Sequence, residues 1–128
     1  MANLDEEVAQ FLEDEGVGTF GTDIFVSKLN DAVNDTIAVI DTGGMPPDDY
    51  LPLPKRTIQI IVRRLDQAES ISVAREIRDL LHNRFWQDVS STGTIFQLRS
   101  TAMQEPTPIG QDEKNRYEVT CNYLFLTR

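Results

Sequence analysis

The chain has 128 residues and a formal net charge of −9, from 21 acidic and 12 basic side chains, with one cysteine and one histidine. That length fits a single domain, 1–128, able to bury a two-layer core without a disulfide or structural metal. The lone Cys121 excludes an intramolecular disulfide and a cysteine zinc cluster, the acidity argues against wrapping nucleic acid, and no run reaches the ~20 apolar residues of a membrane span.

The charge is unevenly spread. Residues 1–50 hold 12 acids against one base, Lys28, whereas residues 51–128 hold 9 acids and 11 bases. Such acidity keeps a domain soluble, and it would also suit a surface lining a passage to which DNA must not stick. The N-terminus Met1-Ala2-Asn3-Leu4-Asp5-Glu6-Glu7 lacks the charged-then-apolar pattern of a secretion signal, so a cytosol-like compartment is expected.

Leu4, Val8, Phe11 and Leu12 fall at helical spacing and predict a short helix from Leu4 to about Glu15. Asn3 with Glu6 forms a capping-box pair, and Gly16 is a natural stop. Ile24–Leu29 and Thr36–Asp41 read as strands. The turn-rich Asn30-Asp31-Ala32-Val33-Asn34-Asp35 between them predicts a hairpin.

Thr42 to Pro54 cannot be regular structure, given Gly43, Gly44, Pro46, Pro47, Pro52 and Pro54. Gly43-Gly44 fits neither phosphate-binding glycine pattern. This is a long loop or arm, and its Tyr50, Leu51 and Leu53 need an apolar surface, on their own domain or on a neighbour. Thr57–Leu65 is the clearest strand, β-branched and largely buried. Asp66 and Glu69 then cap a helix running to about Phe85, with Ile71, Ala74, Ile77, Leu81 and Phe85 as its apolar stripe. The basic and acidic residues opposite read as a solvated face with local ion pairs.

Thr94–Met103 follows as a further strand, and its expected partner is the last one, Glu118–Thr127. There Tyr117, Val119, Cys121, Tyr123 and Phe125 share one face and Arg116, Glu118, Thr120 and Asn122 the other. Between the two, the stretch from Pro106 to Tyr117 reads as a stiff, proline-bounded start giving way to a charged, flexible tip. The predicted order is α-β-β-β-α-β-β. It implies an α+β domain with a mostly antiparallel sheet of about five strands, two main helices packed on one face, and long loops at 43–56 and 104–114.

Catalytic equipment is not evident. Cys121 sits on an apolar strand face as a small buried hydrophobe, and His82 falls late in a helix, where solvation or a dipole role is expected. The acid pairs Asp48-Asp49 and Asp112-Glu113 lie in loops without a setting that would separate two pKa values. Hard cations need several converging oxygens, and convergence is not visible in a sequence. The expectation is a binding or assembly module rather than an enzyme, with no catalytic residue, metal ligand or cofactor.

The succession of acidic helix, hairpin, Pro-Asp-Asp-Tyr arm, Ile-Gln-Ile-Ile-Val-Arg strand, Ala-Arg-Glu-Ile-Arg-Asp-Leu-Leu helix and Pro-Ile-Gly-Gln-Asp-Glu-Lys-Asn-Arg-Tyr-Glu strand resembles the tail terminator proteins of long-tailed bacteriophages, also known as tail completion or minor capsid proteins. The resemblance is firmest from Pro46 to Thr127. It implies a non-catalytic α+β subunit that forms a sixfold ring on the finished tail tube, stops tube polymerisation and joins the head connector or stopper. DNA would pass through the lumen without specific binding, and no membrane is involved. The protein would assemble in the host bacterial cytoplasm and reside at the head-proximal end of the virion tail. On that reading Pro46, Pro47, Asp48, Asp49, Tyr50, Leu51 and Leu53 would touch an adjacent subunit. Gln111, Asp112, Glu113, Lys114 and Arg116 would face the tube or connector. The alternatives are a head–tail connector component (stopper or adaptor) or a small non-catalytic protein-binding module.

Overall fold

The computed structural model describes residues 4–28, 32–44, 46, 55–85 and 97–127. Helix α1 (Leu4–Asp14) buries Leu4, Val8 and Leu12 as their spacing requires, together with Ala9. Gly16, at φ +80, ends it. Gly16 N donates to Glu13 O and Val17 N to Leu12 O, both at 3.0 Å, which satisfies carbonyls that the last turn would leave orphaned. The expected cap Asn3 lies outside the described residues.

Strand β1 (Ile24–Val26) pairs with β2 (Thr36–Asp41) in parallel, with Ile24 opposite Ile37 and Val26 opposite Val39, so the expected hairpin is not formed. Ser27 turns the chain out of β1 at φ +75 while its N–H still donates to Val39 O at 2.9 Å. The chain returns to the start of β1 before entering β2. There Ile37 N (2.7 Å) and Thr36 Oγ1 (3.2 Å) both donate to Asp23 O. Turn-forming residues mark where a strand stops, and they do not fix the direction in which the next one runs. Leu29, expected in the first strand, lies outside the described residues.

β3 (Lys55–Arg64) runs antiparallel to β2, from Thr36–Arg63 to Asp41–Ile58. It starts inside the expected 43–56 loop. Asp66 caps α2 (Gln67–Leu81) by accepting from Ala68 N at 3.2 Å. The helix stops four residues short of Phe85, because residues 82–85 turn away to meet the strand Gln97–Ala102. Ser100 Oγ donates to Leu81 O (2.7 Å), Ala102 N donates to His82 Nδ1 (3.1 Å), and Arg99 Nη2 donates to Asn83 Oδ1 (2.7 Å). With Asn83 at φ +54 the chain turns into a two-residue strand, β4 (Arg84–Phe85), which pairs antiparallel with β5 (Gln97–Ala102). The start of the predicted strand at Thr94 lies outside the described residues.

The long hairpin expected at the C-terminus is present, but the 104–114 segment is not a loop. It contains β6 (Thr107–Gln111), and both β5 and β6 pair antiparallel with the same edge of β7 (Tyr117–Thr127). β5 takes the second half of β7 and β6 the first, so they amount to one edge interrupted at 103–106. Even there Met103 N donates to Asn122 O at 2.9 Å. Along its other side β7 pairs with β3 from Lys55–Leu126 to Arg64–Tyr117. The sheet is therefore mixed, ordered β1-β2-β3-β7-β5-β4 with β6 beside β7, making seven strands among the described residues instead of about five.

Alternation decides which face is covered. Ile37 and Val39, Ile58, Ile60 and Val62, and Val119, Cys121, Tyr123 and Phe125 form one apolar cluster with Leu4, Val8 and Leu12 of α1 and Ala74, Ile77 and Leu81 of α2. Both helices thus serve the same face of the sheet, as the sequence predicts. Each buried Val, Leu, Ile or Phe among them contributes about 1.5–3 kcal/mol of burial.

Candidate assembly interface

Two features stand out on this frame: the neck formed by Asp41–Gly44 and Lys55–Thr57, and the edge strand β6 with its turn into β7.

At the first, of the seven residues expected to contact a neighbour, Pro46 is described and exposed. Pro47, Asp48, Asp49, Tyr50, Leu51 and Leu53 lie outside the described residues. The neck itself is closely tied. Asp41 Oδ1 accepts from Gly43 N (2.8 Å) and Asp41 Oδ2 from Arg56 Nη2 (2.5 Å). Thr42 N donates to Thr57 O at 3.0 Å, and the Thr42 and Thr57 hydroxyls are 2.6 Å apart.

At the second, all five residues of β6 are exposed and none is charged. Ile109, 53% exposed, sits at a register shift between Pro108 and Gly110. Met103, 45% exposed, lies at the break between β5 and β6. Sequence reasoning missed this edge because Thr-Pro-Ile-Gly-Gln shows no alternation. The available signal was an uncharged run within a charged neighbourhood, in which Pro108 and the bulge are the usual protection of an open strand edge.

The turn after β6 is not a flexible tip. Asp112 Oδ1 accepts from Lys114 N (3.0 Å) and Arg116 N (2.9 Å), while Oδ2 accepts from Arg116 Nε (2.8 Å). Arg116 Nη2 lies 2.7 Å from the same oxygen, and Asn115, at φ +61, donates its N–H to Asp112 O at 3.1 Å. The Arg116 side chain, together with the N–H groups of Arg116 and Lys114, holds the Asp112 carboxyl down at about 2. Arg116 is 1% exposed and the Arg63 guanidinium stands 4.0 Å from Asp112. The five residues expected to face the tube or connector therefore divide. Gln111, Glu113 and Lys114 are exposed, whereas Asp112 and Arg116 spend their polar groups holding the turn.

The reactive side chains are engaged elsewhere. Cys121 Sγ lies 3.2 Å from Gln104 O, and burial pushes its thiol pKa up, away from the thiolate that a nucleophile needs. Burial likewise raises the Tyr123 hydroxyl. His82 is exposed and spends Nδ1 on Ala102 N. Among the described residues no three His, Cys, Asp or Glu side chains are grouped so as to hold a metal ion. Asp48 and Asp49 lie outside them.

The arrangement is that of an α+β domain offering an uncharged strand edge, a pinned charged turn and a tied loop neck. Residues 11–127 match the family described as bacteriophage tail terminator protein, and the chain belongs to that family. It is a structural tail protein of phage-type virions. Among solved structures, a chain in the virion of a native gene transfer agent particle is similar in fold. Its TM-score is 0.69 and its identity 13%, over 97% of this chain and 93% of that one. Comparison with curated proteins finds no match.

Proposed function

We propose that the chain forms a sixfold ring that caps the head-proximal end of the tail tube, stops its polymerisation, and joins it to the head connector or stopper, without catalysing a reaction. The observation that carries the proposal is the exposed β6 edge ending in a turn fastened by Asp112 and Arg116, within a tail terminator family fold. A fastened turn loses little conformational entropy on docking, so its exposed Gln111, Glu113 and Lys114 are suited to specific contact. These three face the tube or connector, and Arg116 acts by holding them in place. Residues 46–53 reach an adjacent subunit. The acids of residues 1–50, among them the exposed Asp14 and Glu15, repel DNA passing through the lumen.

The test is negative-stain microscopy of the purified chain mixed with self-assembling tail-tube protein. Ring density at one tube end supports the proposal. Density on isolated connectors and none on tubes would instead make the chain a connector-side stopper or adaptor.

A further inference from the structure

Leu65, 56% exposed, is the most exposed of the large hydrophobic side chains among the described residues. It leaves the sheet one step beyond the ends of two ladders, Thr36–Arg63 on the β2 side and Arg64–Tyr117 on the β7 side. It therefore stands between the residues just before β2 and the turn just before β7. Ile109, 53% exposed, flanks the first residues of β7 from the opposite side, because β3 and β6 pair with opposite edges of that strand.

Arginines fasten this end of the sheet from within. Arg63 Nη2 donates to Val33 O at 2.6 Å, and its Nη1 lies 4.0 Å from Asp112 Oδ2. One side chain thus reaches both the segment before β2 and the turn before β7. Arg64, on the other face by strand alternation, lies 3.5 Å from Asp35 and 4.0 Å from Glu69. The Arg63, Arg64 and Arg116 side chains are 4%, 12% and 1% exposed. The exposed charges at the same end are Asp35, Asp66, Glu69 and Glu113 against Lys114. With the guanidinium groups turned inward and the acids outermost, a partner meets a negative surface around an apolar centre.

We propose that residues 33–35, Leu65, Ile109 and the 112–116 turn form one docking surface, and that its occupant is the end of the tail tube, through an apolar hollow bordered by lysine or arginine that receives Leu65. The inference rests on the reading above that turns Glu113 and Lys114 toward the tube, and it extends that contact across β7 to β3 and the start of β2. Exposed apolar side chains that share one rim of the fold mark an interaction surface, whereas singly scattered ones do not. Segments already fastened by Arg63, Arg64 and Arg116 lose little entropy on docking. Complementary charge around an apolar anchor then fixes the orientation of the partner.

The experiment measures co-sedimentation of the full-length chain with tail tubes at low and at moderate salt, alongside thermal melting. It compares the wild type with Leu65→Ala, Asn34→Lys, Asn34→Glu and the double swap Glu113→Lys with Lys114→Glu. Leu65→Ala should weaken binding about tenfold, the scale of a lost interface anchor, with a melting temperature near that of the wild type. Asn34 is exposed, and a charge placed there changes only what the partner meets. Asn34→Lys should weaken binding and Asn34→Glu strengthen it, each by about threefold, the scale of one exposed charge pair, and by less at the higher salt. Damage to the fold would move both Asn34 variants in the same direction, so opposite signs report charge complementarity. Binding that responds to the Glu113/Lys114 swap but not to Leu65→Ala or either Asn34 variant would overturn the extended surface while leaving the turn contact standing. Wild-type binding that none of the variants alters, or no binding of the wild type to tubes, would overturn both.

Discussion

Arg116 and Asp112 close the hairpin turn on each other. The guanidinium donates through Nε at 2.8 Å and reaches the same carboxylate oxygen with Nη2 at 2.7 Å, and the arginine side chain is 1% exposed. With two guanidinium nitrogens on Oδ2 and the N–H groups of Lys114 and Arg116 on Oδ1, the pair does what a floppy polar tip cannot: it presents Glu113 and Lys114 in one geometry.

Removing the arginine leaves Asp112 without its strongest partner. Arg116→Ala is expected to destabilise the domain, and Arg116→Lys to recover little of the loss, because an ammonium lacks the planar fork. Urea denaturation of the three proteins checks this. Equal midpoints for Arg116→Lys and the wild type would show that charge alone suffices.

The turn should also be acid-sensitive in a defined window. The Asp112 carboxyl is depressed from an ordinary 3.8 to about 2. A depressed carboxylate contributes stability that is fully present above its unfolded value and is lost as pH falls through its folded value. The turn should therefore loosen between about pH 4 and pH 2 and not above. Amide shifts of Lys114 and Arg116, whose N–H groups bond Asp112 Oδ1, report the transition, and Asp112→Asn should abolish it.

Ser100 is fully buried and its hydroxyl donates to Leu81 O at 2.7 Å, tying the end of α2 to β5. Ser100→Ala orphans that carbonyl and should cost about 1 kcal/mol. For a domain of this size that is a drop of about 4 °C in melting temperature. Ile60, 2% exposed and flanked in the sheet by Val39 and Cys121, sets the upper scale. Ile60→Ala should cost about 2–5 kcal/mol through lost burial and a cavity.

The exposed contact residues should behave in the opposite way. Ile109→Asp and the pair Glu113→Lys with Lys114→Glu alter exposed side chains outside the core, so stability should stay within about 0.5 kcal/mol. Binding to tail tubes, measured by co-sedimentation, should fall for both. Undiminished binding would remove the turn from the interface.

What the sequence disclosed follows from how directly a pattern records burial. The α1 stripe and the Val119, Cys121, Tyr123, Phe125 alternation were legible because helical and strand periodicities reflect which side meets the core. The direction of β1 was not, since a polar connection between strands reads alike whether it returns antiparallel or crosses back. β6 escaped notice because its pairing is imposed by the free edge of β7, not by its own Pro- and Gly-bearing residues. Arg116 read as a tube- or connector-facing residue because it closes a long polar loop, yet its side chain is buried. The signal for its burial was Asp112 four residues earlier, across a turn short enough to bring the two together. The Gly43-Gly44 pair read as loop, yet it follows directly on Thr42, which is still paired with Thr57.

The most direct test of the capping account is the length distribution of tail tubes assembled with increasing amounts of this chain. The account predicts tubes that shorten with dose and carry ring density at one end, with Ile109→Asp and the Glu113/Lys114 charge swap reducing the effect. Tubes of unchanged length with bare ends, at doses where the folded chain is in excess, would contradict it.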